Sequence, residues 1–118
     1  MSGNNITVLT DASLITCIVQ RGTADDIVKA AQEAGAQGAT IHYGQGNGMQ
    51  EVLGILNVAI DMEKEIINIV VADDQADRIY ERMFLAGKLD TPGMGIMYMT
   101  KLEKTATYIP PEILERLL

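Results

Sequence analysis

Tryptophan is absent from this 118-residue chain, and phenylalanine, histidine and cysteine occur once each. A single cysteine, Cys17, closes no internal disulfide, which fits a reducing compartment. Basic residues number nine against sixteen acidic ones, a net charge of −7, so a nucleic-acid surface would need a local basic patch that the sequence does not contain. No apolar run reaches the roughly 18 residues needed to cross a bilayer. Met1 to Asn5 is small and polar, without the basic-then-apolar order of a signal segment, so a cytoplasmic location is expected. Low-complexity tracts are missing too, and 47% hydrophobic residues suit one globular domain over residues 1–118. A chain of this length buries roughly two-thirds of its unfolded surface.

What is present is a repeat. Shifted by 52 positions, Leu14-Ile15-Thr16-Cys17-Ile18-Val19 lies on Ile66-Ile67-Asn68-Ile69-Val70-Val71. Ala24, Asp25, Ile27, Ala34 and Gly35 then fall on Ala76, Asp77, Ile79, Ala86 and Gly87. Each copy is an apolar run, a polar turn, a helical pattern, a glycine stop and a second β-like run. Two strand–helix–strand units in tandem predict an α+β fold, the ferredoxin-like double βαβ sandwich: an antiparallel sheet with two helices on one face.

Residues 1–12 are expected to be a polar lead-in. A first strand then runs to Gln20, and Thr23 is placed to cap a helix with Asp25 and Asp26 in its first turn. Ile27, Ala30, Ala31 and Ala34 form its inward face, and Gly35 supplies a left-handed stop. Ala39 to Tyr43 is the second strand, followed by a long connection over 45–62 with a strand-like core, Ile55 to Ile60. Ile66 to Ala72 is the third strand. Asp73 or Asp74 caps a second helix with the inward face Ala76, Ile79, Met83 and Ala86. A fourth strand runs from Ile96 to about Leu102, and Pro110-Pro111 opens a C-terminal helix over 110–118.

Both sheet faces need cover. Ile15, Cys17, Val19, Ile67, Ile69 and Val71 make one purely apolar face, suited to lie under the helices. The other still offers Leu14, Ile18, Ile66 and Val70, with Thr16, Asn68 and Gln20 between them. At roughly 1.5–3 kcal/mol per fully buried aliphatic side chain, covering that strip with other subunits is favoured. The C-terminal helix of the same chain is the alternative cover.

Two glycine-rich loops are the places for a ligand. Gly44-Gln45-Gly46-Asn47-Gly48 can converge backbone N–H groups on an anion, or can be a plain hairpin. Pro92-Gly93-Met94-Gly95 precedes the fourth strand, as a second such loop or as a simple turn. In a double βαβ path both lie at one end of the sheet, which predicts a cleft at a subunit edge. No nucleophile–base pair emerges, and no catalytic residue is assigned. His42 is expected to be a packed or half-exposed strand residue, and Met94, Met97 and Met99 gap-fillers.

Several segments resemble the PII-type nitrogen-regulatory signalling proteins and their PII-like relatives. They are Gly35-Ala36-Gln37-Gly38-Ala39-Thr40-Ile41, Gly46-Asn47-Gly48-Met49-Gln50, Ile66 to Asp74, and Ala86-Gly87-Lys88-Leu89, within residues 14–105. The resemblance implies a homotrimer whose sheets pack around a threefold axis, with adenine nucleotides bound at three intersubunit clefts. It also implies a T-loop between strands two and three that reaches a regulated transporter or enzyme, and a regulatory rather than catalytic protein. Thr40 matches the family's threonine beside the adenine, Gly46, Gly48 and Gln50 the T-loop base, and Val70 an apolar residue of the base pocket. Gly93, Met94 and Gly95 fall in the B-loop facing the phosphates, and Lys64 on a lysine that helps hold 2-oxoglutarate in typical members.

This chain departs from that pattern where charge matters. Between Gln45 and Met62 there is no tyrosine or serine to modify. Gly95 stands where the family has a B-loop lysine, with Thr91-Pro92 part of a local insertion; Met49 stands for the T-loop-base arginine, and Ala106 and Tyr108 lie near the two C-loop arginines. A triphosphate, with about four negative charges, loses most of its cationic partners here, unless Lys101 and Lys104 substitute. ADP, AMP, ATP, another small anion, or no nucleotide are the candidates, and none is an obligate cofactor. Val52, Leu53, Ile55 and Leu56 suit partner docking. The runner-up function is a metal-related trimer like the CutA-type proteins of this architecture, with His42, Glu51 and Cys17 as ligands to test; a small enzyme would need a buried carboxylate beside His42.

Overall fold

The computed structural model describes residues 6–44 and 64–117. Its elements are β1 (Ala12–Gln20), α1 (Ala24–Glu33), β2 (Thr40–Gly44), β3 (Lys64–Ala72), α2 (Asp73–Ala86), β4 (Gly95–Leu102) and α3 (Pro111–Leu117). The four strands form one antiparallel sheet in the order β2-β3-β1-β4. This is the expected α+β ferredoxin-like arrangement. The strand-like segment expected over Ile55–Ile60 lies outside the described residues.

The register shows the duplication as geometry. β1 pairs with β3 so that Thr16 faces Asn68, the residue at its own equivalent position in the other copy. Leu14↔Val70 and Ile18↔Ile66 flank that pair symmetrically, so a local twofold axis crosses the sheet at Thr16 and Asn68. Thr16 Oγ1 donates to Asn68 Oδ1 at 2.8 Å on that axis. The outer strands break the symmetry. Thr40 of β2 faces Asn68, whereas Tyr98 of β4 faces Thr16, which makes Tyr98 the counterpart of Thr40 (98 − 40 = 58, six more than the repeat). The connection from α2 to β4 is therefore six residues longer than the one from α1 to β2.

The core lies between the helices and the odd-numbered face of β1 and β3. Ile15, Cys17, Val19, Ile67, Ile69 and Val71 are buried there with Ala24, Ile27, Ala31 and Ala34 of the first helix layer and Ala76, Ile79 and Met83 of the second. Ala30 and Ala86 are half-buried at the margin of their predicted faces. Alanines let α1 sit close on the sheet, and burying each of the isoleucines contributes roughly 1.5–3 kcal/mol. Gly87 serves the same closeness: a Cβ there would stand 2.8 Å from Ile27 Cδ1.

Helix ends differ from the sequence expectation. Neither Thr23 nor an aspartate at α2 makes a side-chain cap, and the N-cap of α2 is Ala72. Instead a strand supplies each end. Glu65 of β3 accepts from Gly22 N at 2.7 Å and Ala24 N at 3.0 Å, at the start of α1. Ser13, the repeat counterpart of Glu65, donates to Asp73 Oδ1 at 2.7 Å at the start of α2. Left-handed residues end the copies unequally, at Gly35 (φ 115°) in the first and at Lys88 (φ 55°) rather than Gly87 in the second.

The polar lead-in expected over 1–12 is partly built into the sheet. β1 begins at Ala12, and Leu9 and Thr105 exchange backbone hydrogen bonds at 2.8 and 2.9 Å. That bridge keeps the β1–β4 register, so the two chain segments extend the ladder past the sheet as a short ribbon. α3 packs extensively on no strand and leaves Ile113 exposed, so the C-terminal helix is not the cover for the second sheet face.

Candidate functional site

One rim of the sheet collects the end of β1, the end of β2, the start of β3, the start of β4 and the N-terminus of α1. Across it run Gly44, Lys64 and Gln20 as neighbours in the ladder, with Gly95 beside Val19. β2 and β4 are the two sheet edges, about 14 Å apart at three strand spacings. The longer α2–β4 loop shortens that gap, because Gln20 Nε2 donates to Gly93 O at 2.8 Å and draws the loop over the end of β1. The Gly93–Gly95 loop thus folds over this rim. Gly46, Gly48 and Gln50 follow Gly44 and lie outside the described residues, as do Val52, Leu53, Ile55 and Leu56.

Lys64 is a charged member of this rim. It is 3% exposed, and among the described residues no carboxylate lies at ion-pair distance of its ammonium. The α1 N-terminus, otherwise an anion site, is already occupied by the Glu65 carboxylate. Gly95 cannot be traded for the lysine of the resembling proteins. A Cβ there would sit 2.2 Å from Ile18 O, and φ is 144°, so no side chain fits where β4 presses on β1. Lys101 is committed at the opposite rim, to Asp73 and to Thr10 O.

The other predicted ligand residues lie on the open sheet face. Thr40 is exposed and Val70 is 52% exposed there, with Asn68 between them. The expected contact set therefore falls into two groups, a rim group (Lys64 with Gly93, Met94 and Gly95) and a face group (Thr40 with Val70). Asn68 was missed by the sequence reasoning. Its Oδ1 is taken by Thr16, and among the described residues its NH2 makes no hydrogen bond. The signal that points to it is its position on the axis of the repeat.

Metal and acid–base readings find no such grouping. Cys17 is buried under the helices, and burial pushes its thiol up to about 12. His42 is exposed on the opposite face, beside Ile66, and Glu51 lies outside the described residues. Glu65 is the buried carboxylate nearest in register, but it pairs with Tyr43 and so belongs to the face opposite His42. Among the described residues no three His, Cys, Asp or Glu side chains are grouped to hold a metal ion.

The profile of the family described as "Nitrogen regulatory protein P-II" matches residues 12–109, most of the chain. The chain belongs to the P-II family. Among solved structures, a crystal structure of Arabidopsis thaliana PII bound to citrate superposes with a TM-score of 0.61 at 17% identity, over 80% of this chain and 79% of that one. At that identity the likeness speaks for the fold. P-II membership makes the chain a signalling protein of a regulatory kind. No helix among the described residues is long and apolar enough to cross a membrane.

Proposed function

We propose that this P-II protein is a homotrimeric regulator that senses a small anionic ligand at intersubunit clefts and controls a transporter or enzyme through the segment 45–62. The observation that carries the reading is the split of the site. A phosphate- or carboxylate-sized anion suits the rim, where Lys64 has no carboxylate partner among the described residues and the Gly93–Gly95 loop lies over the end of β1. A base suits the stretch of open face with Thr40, Asn68 and Val70. Among the described residues Thr40 and Val70 lie exposed, so a neighbouring copy is needed to complete the cleft over them.

An adenine nucleotide with a short phosphate chain, ADP or AMP, is the favoured effector. Gly95 forbids the extra cation, Lys101 is held elsewhere, and a triphosphate would be left with unmatched charge. The citrate on Arabidopsis PII marks a carboxylate as a second ligand to test on this chain. Ligand binding would bias residues 45–62 between conformations by differential contact, and Val52, Leu53, Ile55 and Leu56 would then engage or release the partner. The setting is cytoplasmic, and no reaction is catalysed.

Titration calorimetry of the purified protein with ATP, ADP, AMP, a cyclic nucleotide and citrate tests this. The expected result is saturable heat with ADP or AMP, one site per chain, lost in Lys64→Ala. No heat with any of these ligands overturns the ligand assignment.

A further inference from the structure

The sheet register sets the chain's single histidine beside the lysine of the rim. His42 faces Ile66 across β2 and β3, and Gly44 faces Lys64. His42 and Lys64 are thus diagonal neighbours, about 7–8 Å apart, a separation that two long side chains reach across. Glu65 fixes the face on which they meet. Its carboxylate turns to the start of α1, so alternation turns Lys64 and Ile66, and His42 across the ladder, to the open side. The charge balance of that side differs from the rest of the molecule. The chain has sixteen acidic residues against nine basic ones, yet the four strands hold one carboxylate, Glu65, and it lies on the helix side. Among the strand residues of the open face, Lys64 alone carries a fixed charge.

From this we infer that His42 is the second cation of the anion site: protonated, it joins Lys64 in holding a phosphate or polycarboxylate dianion, so that affinity rises as pH falls. This rests on the anion site proposed above and adds a residue and a pH dependence to it. One ammonium balances half of a dianion, while Gly95 excludes a side chain and Lys101 is committed at the far rim. An imidazolium supplies both a charge and two N–H donors, and histidine gains that charge between about pH 8 and pH 5. His42 is exposed and lies on the edge strand, open to a ligand that reaches Thr40 two residues away. Facing it are Lys64, Ile66 and Asn68 of β3 and Thr40 and Gly44 of its own strand; Tyr98, at the far sheet edge, is the other titratable group on this face. No acidic strand residue shares the face to compete with a ligand for the imidazolium.

The test is calorimetry of the untagged full chain, His42→Ala and His42→Arg with ADP and with citrate, at about pH 5.5 and about pH 8.5. Both ligands change charge over this range, so the quantity read is the ratio of variant to wild-type dissociation constant at each pH, in which ligand titration cancels. His42→Ala should bind about fivefold or more weakly at the lower pH and within about twofold of wild type at the higher one. His42→Arg, a permanent cation, should match wild type at the lower pH and bind more tightly at the higher. His42 is the only histidine, so its ring proton signals report the same coupling, and saturating ADP should move their titration to higher pH. A pH-dependent ratio with only one of the two ligands supports the site and assigns it to that chemistry, phosphate or carboxylate. A ratio flat across pH for both, with wild-type binding intact, overturns the role of His42 and leaves the anion site standing. No binding of either ligand by wild type at either pH overturns both.

Discussion

Cys17 is flanked in the ladder by Ile67 and Met97 and is fully buried beneath the helices. Desolvation of the thiolate pushes its pKa up to about 12, so the thiol form persists at any ordinary pH. Native protein at pH 8 should not react with a thiol-specific disulfide reagent, while the unfolded chain should react at one group per chain. Rapid reaction of the native protein would mean that β1 opens. Asp73 is the contrasting case at the surface. Hydrogen bonds from Lys101 and Ser13 hold its carboxyl below the usual carboxylate value of 3.8. A lowered pKa stabilises the fold above the unfolded value and is lost as pH falls through the folded one. Asp73→Asn should therefore flatten the loss of stability below about pH 4, seen in acid unfolding curves, and added salt should shrink the difference for so exposed a pair.

At the scale of elements, each helix start is held by a strand of the opposite copy. Glu65 reaches α1 and Ser13 reaches α2, and the two are repeat counterparts. Glu65→Ala leaves the Gly22 and Ala24 N–H groups without that acceptor and should cost about 1–3 kcal/mol in chemical denaturation, with Glu65→Gln retaining part of it. A cost below a few tenths would mean that water serves as well. This pairing explains what was legible and what was not. Apolar periodicity located all four strands, both helices and their inward faces, because burial depends on spacing within one element. Capping was misassigned to Thr23 and Asp73 or Asp74, because the real acceptor for α1 comes from Glu65, 41 residues away from Ala24. The lead-in before Ala12 was misjudged for the same reason: Leu9 is ordered by Thr105, near the other end of the chain. The insertion before β4 was suspected from Thr91-Pro92, but only the ladder shows its length and its anchor on Gln20.

For the whole molecule, the sheet has two faces of different character. The helix-covered face is closed within the chain. The open one carries Lys64 at its rim, leaves Val70 and Tyr98 exposed, and has no described element of its own chain over it. The candidate site was legible as residues and not as a place. Thr40, Lys64, Val70 and Gly93 to Gly95 were named from the resemblance, yet only the sheet register separates them into a rim group and a face group with Asn68 between. Among the described residues Thr40 and Val70 stay exposed in one copy, so ligand binding at the face group and assembly are the same claim. The mass of the purified protein in solution at low micromolar concentration, by light scattering, tests it most directly. The account predicts three times 12.8 kDa, and a particle of 12.8 kDa would contradict it.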